Sequence, residues 1–184
     1  MDTVVDATQG GNISPASIGT SLAINAITEG VSSKTVKGQK GDVSTESNSI
    51  MVDSYKNLRK NREISGQAHH LNQDAAFRDI IPKNNSMAIK LEGNIRKDIG
   101  SPHYNAHASL EKFWDQYRKG GEYYGEKPTM YEYNQAVINS LHDAGLTVDQ
   151  ANEAVKRAIQ QQIEYGLIKD SLIPRIPGKI YLPK

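Results

Sequence analysis

The stretch MAIKLEGNIRKDIGSPHYNAHASLEKFWDQYR, residues 87–118, holds the signals that set the architecture. It opens with a short β-prone run at 87–91, followed by a glycine-containing turn. Ser101 followed by Pro102 is the pattern of a helix N-cap with proline at the first helical position. Two glycines end this helix after about Arg118. The sequence therefore predicts a strand, a loop and a helix in that order.

The predicted helix carries His103 and His107 one turn apart. Side chains at i and i+4 lie about 6 Å apart on one helix face, so two imidazoles at this spacing can ligate one ion. Zinc proteases use the same spacing with a glutamate after the first histidine. Here that position is Tyr104, which argues against a protease of this class.

A second histidine pair, His69 and His70, lies upstream in GQAHHLNQDAAF. Neighbouring residues on a strand point to opposite faces, so both imidazoles do not readily bind the same ion. They can divide the work instead. One can ligate a metal while the next faces a water molecule or a substrate phosphorus from another direction.

Composition places the folded domain in the second part of the chain. All twelve aromatic residues lie within 55–184, and residues 1–50 are rich in small and polar side chains. We therefore predict an N-terminal appendage at 1–50, with one short helix beginning near Ser14 and a flexible linker at 31–49, and a domain at 51–184. The other predicted elements are a helix at 51–62, short strands and loops in 64–99, helices at 129–143 and 148–165, and an extended tail at 171–184.

The absence of cysteine excludes disulfides and thiolate metal sites, so a transition metal would need imidazole, carboxylate, amide or water ligands. The formal net charge is only +1, yet segment 56–97 holds nine basic and four acidic residues, which is a modest phosphate-attracting patch around the first histidine pair. No apolar run approaches the roughly 18 residues of a membrane span, and no classical export signal is visible.

The order of adjacent histidines, Asn94 and an HxxxH helix resembles the ββα-metal nuclease superfamily. Within it, the chain is similar to the HNH and endonuclease VII-type domains with an AHH motif that form C-terminal tips of bacterial polymorphic toxins. The resemblance covers about 65–184, with the motif concentrated in 66–118. It implies an α+β fold in which a ββα-metal core, a short β-hairpin plus a metal-binding helix, is surrounded by additional α-helices.

The resemblance also implies the roles of single residues. His69, His103 and His107 would hold one divalent ion, of which Zn, Mg, Mn and Ni are the candidates. His70 would be the general base and Asn94 would orient it. We expect Arg78, Arg96 and Lys97 to contact phosphates.

The function implied by the resemblance is that of a metal-dependent endonuclease. It would hydrolyse DNA with little sequence preference, acting as the toxic tip of a larger secreted carrier polypeptide in the cytoplasm of a target cell. Such a toxin requires a cognate immunity protein, expected to be acidic if it covers the active site. Two alternatives stay open: a noncatalytic module with a structural metal that binds nucleic acid or protein, and a ribonuclease using the same site.

Overall fold

The computed structural model describes residues 50–184, which belong to one compact unit. The predicted helix near Ser14 and the predicted linker at 31–49 lie outside the described residues. The elements in chain order are β1 (Val52–Ser54), α1 (Tyr55–Lys60), β2 (Gln67–His70), α2 (Asp74–Phe77), β3 (Met87–Leu91), α3 (Pro102–Asp115), α4 (Met130–Asp143) and α5 (Val148–Glu164).

The described part of the chain is α+β, as predicted: a three-stranded antiparallel sheet of order β1-β3-β2, together with five helices. β3 is the central strand. It pairs with β1 through Val52 and Ile89, and with β2 through His69 and Ile89 as well as His70 and Ala88. None of the helices within 50–184 is long and apolar enough to cross a membrane.

The predicted helix at 51–62 is wrong over its first residues, because Val52–Ser54 form a strand at the edge of β3. Pairing there buries Val52, which is 8% exposed. The helix begins only at Tyr55, after Ser54, whose hydroxyl accepts a hydrogen bond from the backbone N–H of Asn57. Local propensity was outweighed by a strand partner more than thirty residues away in the chain.

The helix α3 begins as predicted but ends three residues early. Ser101 caps it by accepting a hydrogen bond from the backbone N–H of Tyr104 at 3.3 Å. At the other end, Gln116 and Tyr117 bond to carbonyls three residues back instead of four, which tightens the last turn and stops the helix before Arg118.

The helices α4 and α5 agree with the predicted ones within a residue at each end. Thr147 and Gln150 form the predicted capping box, and Thr129 forms a second one with Glu132. Helix α4 packs against both α3 and α5, and the fully buried side chains of α3 and α4 include Trp114, Leu110, Tyr133, Met130 and Leu141.

Buried polar bonds fix the chain directly after the histidine pair. The Tyr133 hydroxyl donates to the Leu71 carbonyl at 2.7 Å, and the Trp114 indole donates to the Gln73 side chain at 2.6 Å. Asn72 is fully buried and bonds to side chains of α5. Because unpaired buried polar groups are costly, this network specifies one position for the end of β2.

The C-terminal tail is extended, as predicted, and runs antiparallel along α3. Its contacts are Arg118 to the Pro177 carbonyl at 2.9 Å, the Ile180 N–H to Glu111 at 2.9 Å, and the Tyr104 hydroxyl to the Pro183 carbonyl at 2.7 Å. Arg118 and Glu111, which both bind the middle of the tail, form a nearly buried ion pair with each other at 2.7 Å. The tail thereby borders the helix that carries the second histidine pair.

Candidate metal centre

Strand β2 and helix α3 bring His69, His103 and His107 into one cluster. One ring nitrogen from each lies within 4.8 Å of the others. The ring centroid of His69 lies 5.4 Å from that of His103 and 4.8 Å from that of His107, and the two helix histidines are 4.9 Å apart. These are the three residues that the family resemblance implied as metal ligands.

The local fold explains the placement of each ring. His69 lies on the buried face of β2 and is 2% exposed, while His70 points to the other face and is half-buried. The first turn of α3 is tied to the end of β3, because the His103 N–H donates to the Glu92 carbonyl at 2.9 Å. The His103 Nδ1 lies 3.3 Å from the Gly93 carbonyl. That bond makes Nδ1 the donor and leaves Nε2 as a ligand atom.

Three buried ring nitrogens in this cluster have no hydrogen-bond partner: both of His69 and the Nδ1 of His107. Buried polar atoms are almost always paired, since leaving one unpaired costs about 1–3 kcal/mol. A divalent ion bound by imidazoles would provide a partner for one nitrogen of each ring. The donor set therefore fits a metal ion of the kind that accepts nitrogen ligands.

Burial keeps these imidazoles neutral. It holds the pKa of His69 well below its usual range, with His107 and His103 adding repulsion. It also lowers the pKa of His107 to about 4 and lowers that of His103. A neutral imidazole is the form that binds a metal, so the cluster is in its ligating form at neutral pH.

His70 faces the same cavity, which has a volume of about 570 Å³ and is lined by all four histidines. Its Nε2 lies 3.2 Å from the Lys83 carbonyl, and its ring stacks on Tyr55 with centroids 3.8 Å apart. A carbonyl only accepts, so Nε2 carries the proton and Nδ1 keeps its lone pair. Burial lowers the pKa of His70, which also favours the neutral ring.

The interaction predicted between Asn94 and His70 is not seen, because the carbonyl of Lys83 contacts His70 instead. The side-chain oxygen of Asn94 accepts a hydrogen bond from the backbone N–H of Arg96 at 2.9 Å. The backbone N–H of Asn94 donates to the Asp98 carboxylate at 2.9 Å. These bonds stabilise the loop that contains Asn94. The residue before Asn94, Gly93, contacts His103 through its carbonyl. Gly93 has a φ of 89°, and a Cβ there would overlap the Ser101 side chain.

The three predicted phosphate contacts do not line the cavity. Arg78 pairs with Asp74 at 2.8 Å, one helical turn earlier. Arg96 and Lys97 are exposed on the loop after β3.

The cavity is also lined by residues that were not predicted from the sequence, among them Tyr55, Arg59, Lys83 and Ile180. Tyr55 and Arg59 have the i, i+4 spacing of neighbours on a helix, which was a usable signal. Lys83 and Ile180 lie in irregular segments, and only the tertiary fold brings them to the histidines.

The chain matches no protein-family model, no curated protein and no solved structure. The interpretation of the site therefore rests on its residues and their geometry.

Lowering the pH is expected to destabilise the metal-free protein. The pKa of His107 is about 4 in the folded chain, against about 6.5 in an unfolded one. Between these values the unfolded chain binds the additional proton, so this contribution to stability is complete above about pH 6.5 and is lost as the pH falls toward 4. Urea denaturation in the presence of a chelator, at pH 7 and pH 5, measures the effect.

The matched control is His142, which is exposed on α4 outside the cluster. His107→Asn should flatten the dependence of the unfolding free energy on pH, and His142→Asn should not. A wild-type unfolding free energy that is the same at both pH values would contradict the prediction.

Proposed function

We propose that this protein is a metal-dependent endonuclease that hydrolyses phosphodiester bonds of DNA with little sequence preference. The observation that carries the proposal is the division of labour between neighbouring histidines. His69 contributes one ring nitrogen to the buried cluster, while His70 opens onto the same cavity with a free Nδ1. A ligand set and an adjacent base are the two parts that metal-assisted hydrolysis needs.

The proposed fold assignment is the ββα-metal core. In support of this assignment, β2 and β3 form an antiparallel pair that is followed by α3. The proposed ligands lie on β2 and α3. The pair is not a tight hairpin, since α2 lies between its strands.

In the proposed reaction, His69, His103 and His107 hold the ion, and His70 acts on water. A divalent ion, when bound, supplies Lewis-acid stabilisation of negative charge on phosphate oxygens and on the leaving oxygen. The Nδ1 of His70 removes one proton from the attacking water, whose oxygen bonds to phosphorus. The bond from phosphorus to the 3′ oxygen breaks, and solvent protonates that oxygen. The products are 5′-phosphate and 3′-hydroxyl ends.

The positioning of His70 is built into the chain. The Lys83 carbonyl fixes its tautomer by accepting from Nε2, and the Tyr55 ring fixes its plane by stacking. A base held in this way loses little freedom when the reaction begins.

The biological setting is proposed from the resemblance to toxin tips. The domain would be delivered on a larger carrier polypeptide, act on DNA in the cytoplasm of a target cell, and be neutralised in the producer by a cognate immunity protein. Co-expression with a neighbouring acidic protein of the producer should relieve toxicity to the host cell.

A gel assay tests the activity directly. Purified protein is given supercoiled plasmid, linear DNA or total RNA with Mg²⁺, Mn²⁺, Ni²⁺ or Zn²⁺, and with EDTA as the blank. We expect nicked and then linear plasmid with at least one ion, no cutting in EDTA, and nicks that DNA ligase reseals. Cutting of RNA alone would indicate the ribonuclease alternative. No cutting of any substrate would contradict the proposal and favour the noncatalytic module.

A further inference from the structure

The histidine cavity is lined by two cationic residues, Arg59 and Lys83, both of which are exposed to solvent. Within residues 50–184, neither forms an ion pair with a carboxylate. The other charged nitrogen that lines the cavity, the Lys90 ammonium, is already bonded to three backbone carbonyls at 3.0, 3.0 and 3.2 Å. Arg59 and Lys83 therefore keep charge available for an anionic ligand.

The Tyr55 ring holds both cations beside the proposed base. The Arg59 guanidinium carbon lies 5.6 Å from the ring centroid, and the Lys83 ammonium lies 5.9 Å from it. The same ring stacks on His70 at 3.8 Å. Cations within about 6 Å of an aromatic face are attracted to it, so the ring restricts where both charges reside.

Lys83 also contacts the proposed base, His70, through a hydrogen bond to its backbone carbonyl. Its carbonyl contacts His70 while its ammonium approaches Tyr55. One short segment thus sets the position of the base and of a positive charge next to it.

We propose that Arg59 and Lys83 form a phosphate-binding pair for a nucleic acid backbone, contacting the phosphates next to the one that is cleaved. This inference rests on the proposed nuclease function. A guanidinium binds a phosphate through two parallel N–H bonds, and an ammonium binds it as a point charge. Backbone contacts of this kind fix the position of a strand without reading its bases, which accounts for low sequence preference.

The test is binding of a short, fluorescently labelled DNA duplex to the full chain in EDTA, followed by anisotropy across a salt series. The variant carries R59Q and K83Q. Each lost phosphate contact lowers the slope of log affinity against log salt by about one, so we expect a decrease of about two and, near 0.1 M salt, at least about tenfold weaker binding.

The matched control carries K156Q and R157Q, which remove one lysine and one arginine from the exposed side of α5. Its affinity should stay within about twofold of wild type. Equal losses in both double variants would mean that only net charge matters and would overturn the proposal. So would wild-type affinity in the R59Q/K83Q variant, or no measurable binding by the wild-type protein.

Two further variants separate the competing explanations. R59K with K83R keeps both charges and should restore most of the affinity, whereas a loss there as large as with glutamine would overturn the electrostatic role. R96Q with K97Q removes the contacts expected from sequence. If that variant alone loses binding, the strand follows the loop after β3 and the proposal is wrong.

This experiment and the activity assay fail independently. Binding in EDTA involves no cleavage, so a protein that cuts no DNA with any ion would overturn the nuclease function while leaving the binding result interpretable. If cleavage occurs, R59Q/K83Q should raise KM more than it lowers kcat, because the pair binds ground state and transition state alike. A fall in kcat with KM unchanged would overturn the pair as a binding site.

Discussion

Replacing His70 by alanine is expected to reduce DNA cleavage by about a hundredfold to ten thousandfold, the usual contribution of a positioned general base. Metal binding should remain, because His70 lies outside the triad that could hold an ion. The measurement is the rate of plasmid nicking under single-turnover conditions, together with the metal content of the same preparation after dialysis.

Rescue distinguishes lost chemistry from lost structure. Free imidazole in the buffer should restore part of the activity of His70→Ala, since the variant leaves a space beside Tyr55 and the Lys83 carbonyl. His142→Ala is the control, because it removes an exposed histidine from α4. Nicking at the wild-type rate by His70→Ala would show that the base is wrongly assigned.

Two features of the histidine cluster could be predicted from the sequence because their signals are local. A capped helix start fixes the phase of α3, and the i, i+4 spacing then places His103 and His107 on one face. Alternation along β2 separates His69 from His70, again without reference to the rest of the fold. Local periodicity predicts these two placements, whereas the grouping of His69 with His103 and His107 was implied by the family resemblance.

The surroundings of His70 were not accessible because they depend on contacts between distant segments. Tyr55 comes from a helix whose start is displaced by the strand β1, and Lys83 comes from the irregular segment before β3. Neither the strand pairing nor the path of that segment has a local sequence pattern. The predicted orienting role of Asn94 differs from the structure for the same reason.

Asn94 differs from its predicted role in the contacts that it makes. It lies in the loop that joins β3 to α3, and its hydrogen bonds are to Arg96 and Asp98 within that loop. Through this loop it supports Gly93, whose carbonyl faces His103. The loop that it stabilises therefore borders His103 rather than His70.

Replacing His69 by alanine is expected to weaken metal binding by more than about a hundredfold, since even the loss of a residue that merely supports a ligand costs about ten- to hundredfold. His69 is the most deeply buried member of the candidate triad, and within residues 50–184 it is the member that lies on a strand. The change should therefore abolish cleavage through loss of the ion, whereas the change at its neighbour His70 should slow cleavage with the ion in place. Calorimetric titration with Zn²⁺ and Ni²⁺ measures the affinity of both variants.

Stability gives a second readout that does not depend on activity. A metal that binds only the folded chain stabilises it by about 2.7 kcal/mol at a hundredfold excess over its dissociation constant. Wild type and His70→Ala should show this increment in urea denaturation, and His69→Ala should lack it. Wild-type affinity in His69→Ala would contradict the ligand set. If chelation unfolds the wild-type domain and none of the ions supports cleavage, the same histidines hold a structural metal, because an ion required for folding and not for chemistry acts only through the stability of the folded state.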